Sequence, residues 1–410
     1  MRLGHYIAYA TPALPLALFA LPLYVHLPKL YAEHAGLPLA LIGAALLAAR
    51  LLDAVCDPLI GRWCDRHRHR KQMLLLALPL LIGGGYMLFL PPADARLPWL
   101  LCGLVLAYAG YSLAIINHHA WGAEFPSNEG GRLQTTAWRE GAALLGVLLA
   151  AGLPASLADT LVEGVARLFW LFIPVLCVTV LLAVVWVPPP LPRCSGDDHD
   201  APLSLWRSPA FRHLIVAYGI NGIAAAVPAT LVLFYVDDVL QAGEWSSAFL
   251  LLYFWSAVLA LPFWASLAAR IGRLAAWRCS MWLAMGSFIV TPFLAAGDAL
   301  FFALVCFISG LALGADLAMP PALLAEHVAQ HGRAATSYGW WAAVTKLTLA
   351  LAAGIALPLV SAFGYVPGQG GHVALAWVYG GLPLLFKFAA LLWLLRTQTI
   401  LQSLDEGAPA

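Results

Sequence analysis

Twelve apolar stretches, each about as long as a membrane-spanning helix, dominate this chain of 410 residues. A helix needs about 20 consecutive, mostly apolar residues to cross a bilayer. The stretches lie at 6–28, 38–61, 73–91, 97–121, 136–156, 168–189, 211–236, 245–268, 279–296, 299–325, 338–362 and 373–395. Only 10% of the residues are charged, against roughly a quarter in soluble domains. The chain is therefore predicted to be an all-α, multi-pass integral membrane protein.

A polar break divides the twelve stretches into two sets of six. It includes the letters PRCSGDDHDAP, whose Pro, Gly, Ser and Asp content is typical of a flexible linker. We predict a six-helix bundle at 1–189, a cytoplasmic linker at 190–210 and a second six-helix bundle at 211–410. Lys and Arg concentrate in the loops on one side, which places both termini in the cytoplasm. We expect the membrane to be a bacterial inner (plasma) membrane.

Charge and cysteine content argue against several other classes of protein. The net charge is +1, and no basic tail or nucleic-acid motif is present, so we expect no nucleic-acid partner. The seven cysteines include no CxxC pair, and their odd number argues against a disulfide framework. We expect no metal centre and no cofactor apart from a coupling ion.

Three charged residues lie within the second apolar stretch. Arg50, Asp53 and Asp57 have the spacing i, i+3 and i+7, which puts them on one face of a helix. Each such charge costs at least about 2.5–3.5 kcal/mol at the centre of a bilayer. Two carboxylates one turn apart repel each other unless a proton or cation lies between them, and Arg50 can balance only one. The pattern indicates a cation-coupling site, with a structural Arg–Asp anchor as the alternative.

The two halves resemble each other weakly, as expected for repeated bundles in secondary transporters. Aligning Asp53 with Ser256 also matches the next two residues, and a basic loop follows in both copies. Asp57 then corresponds to Ala260. Since the second copy lacks both acids, they are not required to build the helix, which favours a function specific to the first half.

The motif ARLLDAVCDPLIGRWCDR resembles the signature of the glycoside–pentoside–hexuronide:cation symporter family, the melibiose-permease branch of the major facilitator superfamily. INHHAWGAEF, GADLAMPPALLAE and SYGWWAAVTK follow in the family's order. The resemblance implies a major facilitator fold, with twelve transmembrane helices in two six-helix halves, and cation symport by alternating access. It assigns cation binding to Asp53 and Asp57, and it places Asn117 where sugar transporters of the family have a third carboxylate.

Solute-binding candidates come from the resemblance and from polar residues within the spans. The resemblance places Trp121 beside the solute and Arg139 and Lys346 on the cavity wall. The residues themselves add further candidates: Arg50, His118, Asn221, Asp316 and Trp341.

Several of these candidates have structural alternatives. His118 or His119 could relay protons or bind solute, or both could be polar packing residues. Asp316 could pair with Lys346, lie near the solute or form a structural pair, and Lys387 is expected to pair or to snorkel. Asp65 and the basic run 66–71 are expected to form an inner loop and gate contacts.

The cargo and the ion are less constrained. No acid lies between Tyr6 and Lys29, and Asn117 is neutral, so both carboxylates that bind sugar in the resembled family are missing. We favour H⁺ over Na⁺ because a proton needs only one carboxylate.

The predicted function is transport of a small solute such as a sugar or glycoside by a monomer. A lysophospholipid or other amphiphile is the first alternative. A membrane-embedded transferase using His118 or His119 is the second, although we expect no enzyme.

Overall fold

Long helices account for most of the chain in a computed structural model. The structure describes residues 3–33, 37–67, 69–92, 96–126, 128–158, 160–190, 204–366, 368 and 372–405. The helices are α1 (Leu3–Ala10), α2 (Ala13–Val25), α3 (Leu27–Glu33), α4 (Leu39–His67), α5 (Arg70–Phe89), α6 (Leu97–Glu124), α7 (Glu129–Leu157), α8 (Leu161–Trp186), α9 (Ser204–Arg207), α10 (Pro209–Phe234), α11 (Ser246–Ile271), α12 (Arg273–Phe288), α13 (Ala299–His331), α14 (Ala334–Ala362), α15 (His372–Arg396) and α16 (Gln398–Asp405). A π-helical turn, Tyr235–Val239, extends α10.

Within the described residues, nine helices are long and apolar enough to cross a membrane. They are α5, α6, α8 and α10 to α15. Two further predicted spans fall on α4 and α7, each of 29 residues, or roughly 43 Å at 1.5 Å per residue. The remaining predicted span, 6–28, is divided among α1, α2 and α3. Pro12 precedes α2, and a proline cannot donate the backbone hydrogen bond that would continue α1.

The chain forms two compact units. The first contains residues 1–200 together with 331–343, and the second contains 201–330 together with 344–410. Most of the predicted linker, 190–210, lies outside the described residues. Because residues 331–343 belong to the first unit, the start of α14 belongs to it too, although it follows the linker in sequence. Sequence order alone did not indicate this assignment.

Close helix packing in the first unit depends on glycine. A Cβ atom added at Gly84 of α5 would lie 2.4 Å from the backbone nitrogen of Ala107 on α6. A Cβ added at Gly110 of α6 would lie 2.7 Å from the backbone nitrogen of Leu81. Small residues let helix backbones approach closely where no hydrophobic effect drives association. The α5–α6 pair thus provides a rigid support for the polar residues on α6.

The second unit has its own apolar core and a docked terminal helix. Tyr235 and Tyr379 stack with ring centroids 4.1 Å apart. The short helix α16 buries Leu401 and Leu404 completely. At its end, the Asp405 carboxylate accepts hydrogen bonds from the backbone nitrogens of Arg273 (2.6 Å) and Leu274 (3.2 Å), at the start of α12.

Candidate functional site

The two acids of α4 face the interior of the first unit. Asp53 is 6% exposed and Asp57 is fully buried, whereas Val55 and Leu59 on the opposite face are 68% and 61% exposed. This division follows from the helical period, because residues two apart point about 200° away from each other. The apolar face of α4 is the one suited to lipid, and the carboxylates lie on the other face.

Asp53 has a hydroxyl partner that the sequence analysis missed. Ser112 of α6, itself fully buried, donates a hydrogen bond of 2.7 Å to Asp53 Oδ1. Hydrogen bonds to an ionised carboxylate are stronger than neutral ones. The only sequence signal was a serine in an apolar span, which is common in membrane helices and therefore weak.

The start of α14 packs directly on α4 beside these acids. A Cβ atom at Gly339 would lie 2.5 Å from the carbonyl oxygen of Asp57, and one at Gly61 would lie 2.2 Å from the carbonyl oxygen of Ala335. Only glycine fits such approaches without a backbone shift. Segment 331–343 thus forms part of the surroundings of Asp57, and it contains the candidate Trp341, which is 5% exposed.

Asn117 is buried but points away from Asp53. It lies five residues after Ser112 on α6, and five residues rotate the side chain by about 140° beyond a full turn. Its amide nitrogen donates a hydrogen bond to the backbone oxygen of Arg70, at the start of α5. The Oδ1 atom is buried without a hydrogen-bond partner among the described residues. A role for Asn117 in cation binding remains a prediction, and its observed contact is with α5.

His118 joins α6 to α1. Its Nε2 atom lies 2.7 Å from the backbone oxygen of Tyr9. In return the Tyr9 hydroxyl donates a 2.8 Å hydrogen bond to the backbone oxygen of His118. The two rings stack at 4.3 Å. These contacts fit the packing alternative for His118. His119 instead lies edge-on to Tyr338, with ring centroids 5.5 Å apart.

Arg139 on α7 has an acidic partner that the sequence analysis missed. The guanidinium donates hydrogen bonds of 2.6 and 3.1 Å to Glu140 Oε1. Its side chain is 2% exposed, and the hydroxyl groups of Tyr9 and Tyr338 interact with it. Glu140 lies inside the predicted span 136–156, so the same criterion that selected Asp53 could have identified it. Arg139, Glu140 and the two tyrosines form a buried polar cluster.

The other candidates of the first unit have different surroundings. Trp121 is fully buried, and its indole nitrogen donates a 3.0 Å hydrogen bond to the backbone oxygen of Pro188. The ammonium of Lys71 lies 5.6 Å from the Trp121 ring centroid. Trp121 thus contacts α5 and the end of α8. Arg50 is half-buried on α4.

Asp65 connects the end of α4 to the start of α14. Its carboxylate accepts hydrogen bonds from the backbone nitrogens of Ala335 (2.9 Å) and Thr336 (2.7 Å) and from the Thr336 hydroxyl (2.7 Å). Arg70, which is 2% exposed, bridges Asp65 and Glu124 with contacts of 2.8 Å to each. Residues 65–67 belong to α4 and residues 70–71 to α5, so the inner loop expected over 65–71 is largely helical. A gating role for these contacts remains a prediction.

In the second unit, Asp316 on α13 pairs with Lys387 on α15, where the sequence analysis had suggested Lys346. Lys387 Nζ donates to Asp316 Oδ2, and the Trp277 indole donates a 2.9 Å hydrogen bond to Oδ1. Asn221 on α10 is 3% exposed and Lys346 on α14 is 8% exposed. The expectation that Lys387 pairs is therefore met by an acid on a neighbouring helix.

Comparison with known proteins identifies the family. The sequence matches the MFS/sugar transport protein family over residues 8–399. The chain belongs to this family. The chain is a major facilitator transporter, which confirms the resemblance seen in the sequence motifs. The proteins of this family are transporters rather than enzymes. No curated protein matches the chain significantly in sequence.

Three solved structures show the same fold. A bacterial homologue of the iron transporter ferroportin, in an outward-facing state, has a TM-score of 0.73 and 14% identity, with 96% of this chain and 99% of that chain covered. The E. coli fucose:proton symporter FucP has a TM-score of 0.67 and 14% identity, with 94% and 97% covered. The human organic anion transporter MFSD10 has a TM-score of 0.68 and 16% identity, with 94% and 100% covered. At such identities the likeness shows the fold alone.

Proposed function

We propose that this family member is a cation-coupled secondary active transporter of a small solute, with Asp53 and Asp57 as the coupling carboxylates. The supporting observation is that both acids are buried, at 6% and 0% exposure, on the interior face of one helix. Neighbouring buried carboxylates resist simultaneous ionisation because of desolvation and mutual repulsion. Binding one cation reduces both the desolvation cost and the mutual repulsion of the two carboxylates. The loaded and the empty states of the pair therefore differ in charge.

The proton is the favoured ion. One carboxylate suffices to hold a proton, whereas Na⁺ requires several oxygen ligands at once. Asn117, the amide proposed as a further cation ligand, contacts the start of α5. Ser112 donates its hydroxyl hydrogen to Asp53, which suits a carboxylate that gains and loses a proton. The fold is shared with a fucose:proton symporter, which supports the proposal by analogy only.

A small neutral solute such as a sugar or glycoside fits the first unit better than an acidic amphiphile. The amphiphile alternative needs basic residues to attract an acidic headgroup, and Arg139 and Lys346 are the candidates for this role. Glu140 lies 2.6 Å from the Arg139 guanidinium and therefore balances its charge locally. The remaining hydroxyl and guanidinium groups of the buried polar cluster can donate and accept hydrogen bonds with sugar hydroxyls. We place the basic loops and both termini on the cytoplasmic side of a bacterial inner membrane, and we expect a functional monomer.

Reconstituted transport tests this proposal. Protein in proteoliposomes is screened with labelled sugars, uronic acids and lysolipids under an imposed pH gradient or Na⁺ gradient. We expect solute accumulation driven by the pH gradient, and Asp57→Asn should reduce it to passive equilibration. Glu163→Gln is the matched control, because Glu163 is 52% exposed in a surface pair with Arg167. Unchanged accumulation in Asp57→Asn would disprove the coupling role.

A further inference from the structure

The second unit contains a cavity of about 310 Å³. It lies among α10, α11, α12, α13 and α15, and every residue that lines it belongs to the second unit. None of the carboxylates assigned to cation coupling takes part. Small-molecule sites usually measure about 300–1,000 Å³ and combine an apolar wall with a few polar groups. The volume of this cavity lies at the lower end of that range.

Most of the cavity wall is apolar. Phe249, Phe254 and Phe288 contribute aromatic rings to it. On α10, Ala225 and Ala229 line the cavity one turn apart, and both are exposed. Small side chains at this edge leave room for a ligand to enter, while the aromatic rings can pack against an alkyl chain or a flat ring.

A buried ion pair forms the polar part of the wall. Asp316 and Lys387 both line the cavity, and their side chains are only 10% and 9% exposed. Replacing a buried pair by apolar residues of similar volume often leaves stability unchanged or increases it. Ionisable residues within spans are accordingly functional candidates by default. Because this pair lies on the wall of a cavity, the function that we consider for it is ligand binding.

The charges of the pair restrict the ligand. One positive and one negative group cancel, so a charged ligand would bring an uncompensated charge into an apolar site. An ammonium has three N–H donors, and Lys387 directs one of them to Asp316. The Asp316 oxygens each already accept a hydrogen bond, one from Lys387 and one from Trp277. The site therefore offers a donor, and it suits a ligand that carries an acceptor.

We propose that this cavity binds a neutral amphiphile of medium chain length. Its hydroxyl or carbonyl oxygen accepts a hydrogen bond from Lys387 Nζ, and its apolar chain packs among Phe249, Phe254 and Phe288. This site goes beyond the proposed transport function, since it requires neither Asp53 nor Asp57.

Photolabelling of the full chain in lipid nanodiscs tests the proposal. The probe is 1-decanol carrying a diazirine at the chain end, and labelled residues are mapped by mass spectrometry. We expect saturable labelling on the aromatic wall that excess 1-decanol suppresses. Decanoate and decyltrimethylammonium should compete much less well, because each adds a charge to the balanced pair. Labelling that does not saturate, or stronger competition by either charged analogue, would overturn the proposal.

Variants test the entrance and the ion pair separately. Ala229→Trp should abolish labelling by filling the α10 edge, while Ala269→Trp, at an exposed position of α11 outside the cavity, should not change it. Lys387→Met should weaken probe binding by about tenfold or more, the loss expected for one hydrogen bond to a charged donor. Asp316→Leu combined with Lys387→Met removes both charges without leaving one unpaired and also removes the donor, and labelling equal to wild type there would contradict recognition by the pair. Asp57→Asn should leave labelling unchanged, so the two proposals can fail independently.

Discussion

The carboxylate of Asp65 accepts two hydrogen bonds from Thr336, one from its backbone nitrogen and one from its hydroxyl, each 2.7 Å long. Thr336 lies in the first turn of α14, where backbone N–H groups have no partner within the helix. Asp65 therefore caps a helix that lies far from it in sequence. Its negative charge also interacts favourably with the positive end of the α14 dipole.

The Thr336 hydroxyl should contribute measurably to stability. Thr336→Val removes one hydrogen bond to a charged acceptor while preserving side-chain shape, and we expect a loss of about 1.5–3 kcal/mol. The measurement is the free energy of unfolding in mixed detergent micelles titrated with SDS. Thr336→Ser keeps the hydroxyl and should retain most of the stability. A loss confined to Thr336→Ser would show that the methyl group, not the hydrogen bond, is responsible.

Two glycines of α4 should respond to alanine in opposite directions. At Gly61 a Cβ atom would lie 2.2 Å from the carbonyl oxygen of Ala335, whereas at Gly43 it meets no atom within 4 Å. Gly61→Ala should destabilise the protein by roughly 1–3 kcal/mol through overpacking against backbone. Gly43→Ala should stabilise it by about 0.5–1 kcal/mol through helix propensity. Thermal unfolding of both variants checks the pair, and a tolerated Gly61→Ala would refute the close approach.

The Tyr9 hydroxyl should stabilise the contact between α1 and α6. Tyr9 is fully buried and donates a 2.8 Å hydrogen bond to the backbone oxygen of His118. Tyr9→Phe should cost about 1 kcal/mol, the usual net value of such a bond. Tyr86→Phe provides the control, because Tyr86 is 50% exposed and its loss should stay within about 0.5 kcal/mol. Both values come from the same SDS titration, and indistinguishable variants would argue against the bond.

The helix α16 should loosen when Asp405 is replaced. Asp405 accepts hydrogen bonds from two backbone nitrogens at the start of α12, where the N-cap residue, Gly272, has no side chain to do so. Asp405→Ala should cost about 1 kcal/mol, as for other lost caps. Hydrogen–deuterium exchange over 398–405 should become faster, while Ser403→Ala, at an exposed position, should leave it unchanged. Unaltered exchange in Asp405→Ala would mean that the buried leucines and the hydrogen bonds from the Arg273 guanidinium to backbone oxygens of α16 suffice to hold the helix.

Much of the fold could be predicted because the relevant physics is local. The cost of placing polar groups in a bilayer makes apolar length a direct signal for spans, and nine of the predicted spans coincide with single apolar helices in the described residues. The first predicted span failed as a single element. Hydropathy does not register that Pro12 lacks a backbone donor, and the structure divides this span among α1, α2 and α3.

The candidate site was predictable only in part. The helical period placed Asp53 and Asp57 on one face, and both are buried. Their neighbours depend on how other helices are rotated and at what depth they pack. Ser112 and Gly339 approach α4 from α6 and α14. The sequence criterion could have identified Glu140, since it is a charged residue inside a predicted span. It could not have identified the bond between Glu140 and Arg139.

The sequence by itself determined nine of the spans, the shared face of Asp53 and Asp57 and the transporter family. Each of these depends on hydropathy, helical period or motif, which are properties of short segments. Only the tertiary structure decided that Asp316 pairs with Lys387, that Asp65 caps α14 and that Asp405 caps α12. Such partners lie on different helices, and several acceptors and donors compete for each charge. Helix rotation and packing select among them, and no local pattern carries that choice.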